Sequence, residues 1–296
     1  MCLLHVLNTI KNKINFEIIV CHINHLIREN AILDEKYVEN YCKKEHIPVY
    51  ILQAKVEQKA EIEKISTEEA GRKVRYDFFS QIAKQEKANK IATAHNANDN
   101  AETIIMNIMR GASLNGLKGI SYKRDNIIRP LLNVSRKEIE EYCEKLELNP
   151  RIDETNSQTV YTRNKIRNKV IPYIKKEFNP NIVETINRMS VLAEEESEYL
   201  NDLAKKAYTE ICLSENIIEK KCILDLKKFL ELALVIKRRV IIYTINRIFG
   251  ETTNIQKVNI EDIIQLCEKN IGGKFLTPNK NIKIEIKNKK IYINKL

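Results

Sequence analysis

Three side chains close together in the sequence could do chemistry jointly: His95, Asp99 and Glu102. Carboxylates take cations and protons, and an imidazole exchanges protons near neutral pH. The stretch that holds them begins at Lys90 as a short apolar run with the length and flanks of a buried strand. It turns through His95, Asn96 and Asn98. From Ala101 it is predicted helical, with Ile104, Ile105, Ile108 and Met109 on one face and Gly111 where a left-handed cap is wanted. Asp99 and Glu102 share a helix face near its N-terminus. In an open α/β sheet such a strand-to-helix turn lies at the carboxyl edge, where ligands bind. A structural part suits the same carboxylates, because the macrodipole favours acids in a first turn. Spacing alone leaves the two readings even.

Arginines form the second set: Arg72 and Arg75 on one predicted helix, and Arg163 and Arg167 four apart on another. A guanidinium's planar fork fits carboxylates and phosphates alike. Plainer roles stand beside these. Arg75 could pair with Glu68 or Asp77, Arg163 and Arg167 could be one exposed face, and His22 and His25 could be packed strand ends.

The elements that must position these groups alternate. Residues 2–12 read as an amphipathic helix, Phe16–Ile23 as a buried strand, Ala31–His46 as a helix and Pro48–Leu52 as a strand. Residues 53–65 show no clear structure. Ser66-x-x-Glu69 is a capping box that opens a helix to about Lys87, and the central strand and helix follow. That order predicts a parallel sheet wound with helices. Beyond Gly119 come a short apolar piece at Asn126–Leu132, a second capping box at Ser135-x-x-Glu138, a turn at Asp153–Asn156 and a helix through Tyr161–Lys169. Asn179-Pro180-Asn181 reads as a boundary. It is followed by a long helix from Ile182 to Tyr208, a helix from Leu230 to Phe249 with the basic cluster Lys237-Arg238-Arg239, a helix at 260–269, and a hairpin around Ile282–Ile293. Its Lys-Asn turn is not of a preferred type. The expected domains are 1–180, a linking helix over 181–210, and a mostly helical region over 211–296.

The chain has 296 residues, 43% of them hydrophobic, which suffices for a core and suggests two domains. A net charge of +10 favours a polyanionic partner, although the bias towards Lys, Asn and Ile would raise it without one. The seven cysteines are scattered, with no Cys-x-x-Cys, which argues against a disulfide framework, a zinc ribbon or an iron–sulfur cluster and fits a reducing, cytoplasmic setting. No apolar run approaches the roughly 20 residues of a membrane span.

His95-x-x-Asn98-Asp99-x-Ala101-Glu102-Thr103, followed by Arg110-Gly111-x-x-Leu114-x-Gly116-Leu117, resembles the signature of the tRNA(Ile)-lysidine synthetases of the PP-loop, or N-type ATP pyrophosphatase, superfamily. Four more segments match in order: His22-Ile23-Asn24-His25-x-x-Arg28, Glu68-Glu69-Ala70-Gly71-Arg72-x-x-Arg75-Tyr76, Arg129-Pro130-Leu131-Leu132, and Asp153 to Arg167. The resemblance implies a Rossmann-like PP-loop ATPase fold. It also implies ligation of L-lysine to the wobble cytidine of a tRNA(Ile) with a CAU anticodon. ATP adenylates the base at its C2 oxygen, and the lysine ε-amine then displaces AMP. Carried over, Asp99, Glu102 and Arg167 become catalytic or lysine-binding. Arg72, Arg75 and Arg163 contact substrate or tRNA, and Ile23, His25 and His95 lie at the ATP. ATP and Mg2+ are the implied cofactors, no protein side chain is expected as a metal ligand, and a homodimer stays open.

The family's Ser-Gly-Gly-x-Asp-Ser loop is absent from this sequence, whose Met1-Cys2-Leu3-Leu4-His5 resembles the helix that follows it. The expectation is a start assigned at an internal Met, or a gene fragment, without the first strand and the phosphate cradle. Asn98 and Asn100 stand where Asp and Gln are usual, and the resemblance leads to no expectation within these 296 residues of the small further domain that many relatives carry. A thiolating PP-loop enzyme and a tRNA-binding remnant that cannot use ATP are the alternatives.

Overall fold

In the computed structural model, residues 1–27, 30–151, 162–250, 255–269 and 274–296 are described. The turn expected at Asp153–Asn156, and Arg28 and Tyr161 of the motifs, lie outside them. The chain forms two compact units, Met1–Val191 and Leu192–Leu296.

The first unit starts with α1 (Cys2–Ile14), β1 (Val20–Asn24), α2 (Ala31–Lys44) and β2 (Val49–Gln53). β1 and β2 run parallel, from Val20 opposite Val49 to Asn24 opposite Gln53. Next come α3 (Val56–Glu63), α4 (Thr67–Gln85), β3 (Ile91–Ala92) and α5 (Ala97–Met109). They are followed by α6 (Leu114–Leu117), β4 (Lys123–Arg124), β5 (Ile127–Ile128) and α7 (Arg136–Lys145). β3 lies parallel to β5, with β4 antiparallel on its far side. The parallel, helix-wound arrangement predicted from the alternation is therefore present. It comes in two pieces, because among the described residues no ladder joins β1–β2 to β3–β5–β4.

Two local readings change. The 53–65 connection contains α3. Val56 and Ala60, one helical turn apart, are buried against Ala70 and Val74 of α4, and a stripe of two small residues is too faint to show in a Glu- and Lys-rich run. The central helix starts at Ala97 rather than Ala101, because Asn96 caps it. Its buried face is Ala97, Ala101, Ile104 and Ile105, while Ile108 and Met109 are exposed.

The unit ends in one continuous helical run: α8 (Thr162–Lys165), a π-helical turn over Ile166–Val170, and α9 (Ile171–Glu177). The wide turn has a cause in Pro172, in the first turn of α9. Proline lacks an N–H and its ring crowds the carbonyl four residues back, so the turn before it opens. α10 (Ile182–Ile211) begins in this unit and ends in the next.

The second unit holds β6 (Cys212–Asn216), β7 (Lys221–Asp225), α11 (Leu226–Glu231), α12 (Leu234–Phe249), α13 (Lys257–Lys269), β8 (Phe275–Asn279), β9 (Ile282–Lys287) and β10 (Lys290–Lys295). The predicted hairpin is β9–β10. It is the centre of a five-stranded antiparallel sheet in the order β6-β7-β10-β9-β8. Ile282, Ile284, Ile286, Ile291 and Ile293 face a core shared with α11, α12, α13 and the end of α10. The helix expected over Leu230–Phe249 is two helices. Asp225 caps the first through Lys228 N at 3.0 Å, and Leu232 and Ala233 are extended between them.

Candidate active site

The site forms where α5 leaves the carboxyl end of β3. Asn96 Oδ1 accepts from Asn98 N (2.9 Å) and Asp99 N (3.1 Å), and Asp99 Oδ2 accepts from Asn96 N (3.0 Å). This capping box holds the Asp99 carboxylate at the first turn. The helix is fixed from its buried side as well. Asn100 Nδ2 donates to Asn187 Oδ1 (2.8 Å) and Ser190 Oγ (3.3 Å), and Asn100 Oδ1 accepts from Ile120 N (2.6 Å). That contact requires glycine at the neighbouring position: Gly119 has φ +67°, and a Cβ there would run into Asn100 Oδ1.

Asp99 and Glu102 face two guanidiniums. Arg163 Nε donates to Glu102 Oε2 (2.8 Å) and its Nη2 to Asp99 Oδ1 (3.1 Å). Arg167 Nε donates to Glu102 Oε1 (2.6 Å), and its Nη2 to Glu102 Oε2 (2.9 Å) and Asp99 Oδ1 (3.1 Å). Ile166, between the two arginines in sequence, packs into the apolar face of α5 and sets their position. The quartet has formal charge zero. Glu102 is only 1% exposed, and such a charge is tolerable only when paired. Burial by itself would lower the pKa of Arg167; the bonds to Glu102 and the charges of Glu102 and Asp99 outweigh it and raise it.

Asp99 thus has two parts, a helix cap through Oδ2 and contacts to both guanidiniums through Oδ1. The plain reading of Arg163 and Arg167 as an exposed face is not what the structure has. Arg75 is bonded neither to Glu68 nor to Asp77 among the described contacts; its Nη2 lies 3.4 Å from His25 Nε2. His25 follows the end of β1, and its buried Nδ1 has no partner among the described residues. Burial, then Arg75 and His22, hold the His25 imidazole below its ordinary pKa. Burial also holds down His22, against Glu35 and Asp34. His95 Nδ1 lies 3.0 Å from Thr93 Oγ1. Burial lowers its pKa to about 4, opposed by Asp99 and reinforced by Arg129, Arg163 and Arg72. His95 is thus neutral at pH 7 and can accept or donate a hydrogen bond without carrying charge. Arg72 lies over the Tyr76 ring at 4.9 Å.

Arg129 is a site residue that the motif reading quoted without assigning a role. It is 4% exposed, Nη1 donates to Ser121 O at 2.6 Å, and Nε is buried without a partner among the described residues. The available signal was a lone arginine in the run Ile127-Ile128-Arg129-Pro130-Leu131-Leu132. Unpaired donors on His25 and Arg129 are the kind of group that a nucleotide satisfies. Asn98 stands apart from the quartet, with Oδ1 on Arg136 N (2.9 Å) at the start of α7. Among the described residues, no group of three or more His, Cys, Asp or Glu could hold a metal ion, and no helix is long and apolar enough to cross a membrane.

In the second unit the basic cluster is engaged internally. Lys237 Nζ meets Glu268 at 3.4 Å, Arg238 forks onto Glu261 (2.7 and 3.2 Å), and Arg239 donates to Asn201 Oδ1 at 2.5 Å.

Comparison with known proteins places these motifs. The PP-loop domain family matches residues 1–174. The chain is 45% identical over 96% of its length to a tRNA(Ile)-lysidine synthase of Clostridium tetani, covering 60% of that protein. It is 46% identical over 95% of its length to one of Clostridioides difficile, covering 61% of it. It thus spans about 60% of the length of these curated relatives. Among solved structures, a U34-tRNA thiolase of Methanococcus maripaludis is similar at TM-score 0.53 and 19% identity, over 65% of this chain and 68% of that one. That likeness bears on the fold alone.

Proposed function

The chain belongs to the PP-loop domain family, and from that premise we propose that it is the catalytic part of a tRNA(Ile)-lysidine synthase. In this reading it joins L-lysine to C2 of the wobble cytidine of a tRNA(Ile) with a CAU anticodon. The observation that carries the reading is the quartet of Asp99, Glu102, Arg163 and Arg167 at the edge of the sheet. Free lysine has two amines and a carboxylate. A neutral set of two carboxylates and two guanidiniums offers counter-charges to both kinds of group, and admits such a ligand by exchanging ion pairs rather than by burying an unpaired charge.

ATP is the implied activator: it would supply an adenylyl group to the C2 oxygen, with the bond between its α- and β-phosphates breaking and pyrophosphate leaving, which turns that oxygen into part of a leaving group. His25, at the end of β1, the backbone of Ile23 and the neutral His95 would hold the nucleotide, with His25 Nδ1 and Arg129 Nε, unpartnered among the described residues, as donors. Mg2+ would be held by the phosphates rather than by a protein cage. In the second step the lysine ε-nitrogen forms a bond to C2, the C2–O bond breaks, and AMP departs with the electron pair. A carboxylate of the quartet takes the proton that the amine sheds. Arg72 and Arg75 supply cations for the RNA backbone. A tRNA substrate implies a cytoplasmic location.

The test is ATP-dependent incorporation of labelled lysine into that tRNA. It is run on residues 1–296 and on a version with the family's strand and Ser-Gly-Gly-x-Asp-Ser loop ahead of Met1. Incorporation by the version with the loop, abolished by Glu102→Gln, is the expected result. If neither folded protein incorporates lysine, the reading falls, and RNA binding without catalysis replaces it.

A further inference from the structure

Tyr173 and Phe178 are among the most exposed aromatic rings of the first unit, at 61% and 74%. They meet edge to face, with centroids 5.8 Å apart at 65°. Lys165, Lys169, Lys175 and Lys176 are exposed on the same helical run. Only Lys176 has an ion pair among the described residues, to the adjacent Glu177 at 3.1 Å. Two exposed rings in contact, beside lysines of which Lys165, Lys169 and Lys175 have no ion pair among the described residues, make an apolar patch on a positive surface.

We propose that this face of residues 165–178 is the docking surface for a single-stranded RNA loop. Given the lysidine-synthase reading, on which this rests, that loop is the anticodon loop of the tRNA. The chemistry selects the partner. Single-stranded RNA brings phosphates for the lysines and unstacked bases for the rings. A duplex would use the lysines and leave the rings idle. An apolar protein segment would cover the rings and strand several ammonium groups without counter-charge. Position supports the choice. The run that presents the rings also carries Arg163 and Arg167 into the quartet, and Tyr173 follows Arg167 in the same run. In this proposal a loop seated on the rings brings a neighbouring nucleotide to the carboxylates.

The experiment uses the full chain and a labelled anticodon stem-loop, CAU or another sequence, titrated at several salt concentrations. Tyr173→Ala with Phe178→Ala weakens binding by about tenfold or more, while Tyr173→Phe with Phe178→Tyr retains it. Replacing Lys165, Lys169 and Lys175 by Gln lowers the slope of log affinity against log salt by about 2. Circular dichroism and melting temperature stay unchanged, since all these side chains are exposed. If the Ala pair binds RNA as the parent does, the surface is wrong, and a change in oligomeric state in that variant would assign the rings to a protein contact instead. A parent that prefers CAU while ignoring the rings keeps the function and sinks the surface. A parent whose binding depends on the rings but shows no preference for CAU keeps the surface and sinks the function. No RNA binding at all removes both.

Discussion

Arg129 and His95 show how a neighbouring charge sets the state of a site residue. Burial is the larger cause of the low pKa of His95, about 4, and Arg129 adds to it. Arg129→Met therefore raises that pKa without restoring the ordinary value of roughly 6.5, because the burial remains. A proton-NMR titration of the His95 ring measures it, and an unchanged value would mean that the guanidinium's charge does not reach the ring. Much at this scale was legible in the sequence. Asp99 and Glu102 were marked as candidates by their spacing, which left a capping part equally open, and Arg163 and Arg167 were singled out by the family resemblance rather than by spacing. What they bind was not legible, because the pairing joins residues more than sixty positions apart. Ile166 held a hint of it: an apolar residue between two arginines on a helix marks the side that turns inward.

At the scale of elements, the β9–β10 turn was the weak point of the sequence reading, and the structure explains how it closes. Asn288 and Lys289 both take left-handed φ, +50° and +56°, as a type I′ turn requires. Asn tolerates this, but Lys carries a Cβ that resists it. Lys289→Gly is expected to stabilise the second unit by about 1 kcal/mol, read as a rise in its unfolding temperature. A fall would mean that the Lys side chain has a contact worth more than the strain. Where the sequence failed on elements, the cause was weak patterning. α3 has two small anchors in a charged run, and the break between α11 and α12 falls at Leu232-Ala233, with neither Gly nor Pro to announce it. The isoleucine strands were visible at once because each buries a full face, and α5 was visible although Ile108 and Met109 of its expected face are exposed.

For the whole molecule, acid should act on the two units in different ranges. In the first unit His22, His25 and His95 all have folded pKa values below the unfolded value. Between the folded values and roughly 6.5 the unfolded chain holds more protons, so stability is lost as pH falls through that window. In the second unit the Glu215 carboxyl, forked by Arg247 and bonded to Tyr208, is lowered to about 2. Its contribution is intact above the unfolded value near 4 and disappears only as pH drops towards 2. Calorimetry at pH 7 and pH 5 should show one transition moving down and the other holding; two transitions moving together would refute this. The π-helical turn has a last consequence, which concerns kinds of genetic lesion. It contains one residue more than an α-helical turn would hold. Removing a single codon within 168–170 would change composition hardly at all, yet would let the run close into α-helix and rotate everything after it by roughly 100°. Ile171 would leave its pocket, and the two rings would face elsewhere. A mutational scan of this segment should therefore accept many exchanges of one amino acid for another and reject the loss of any.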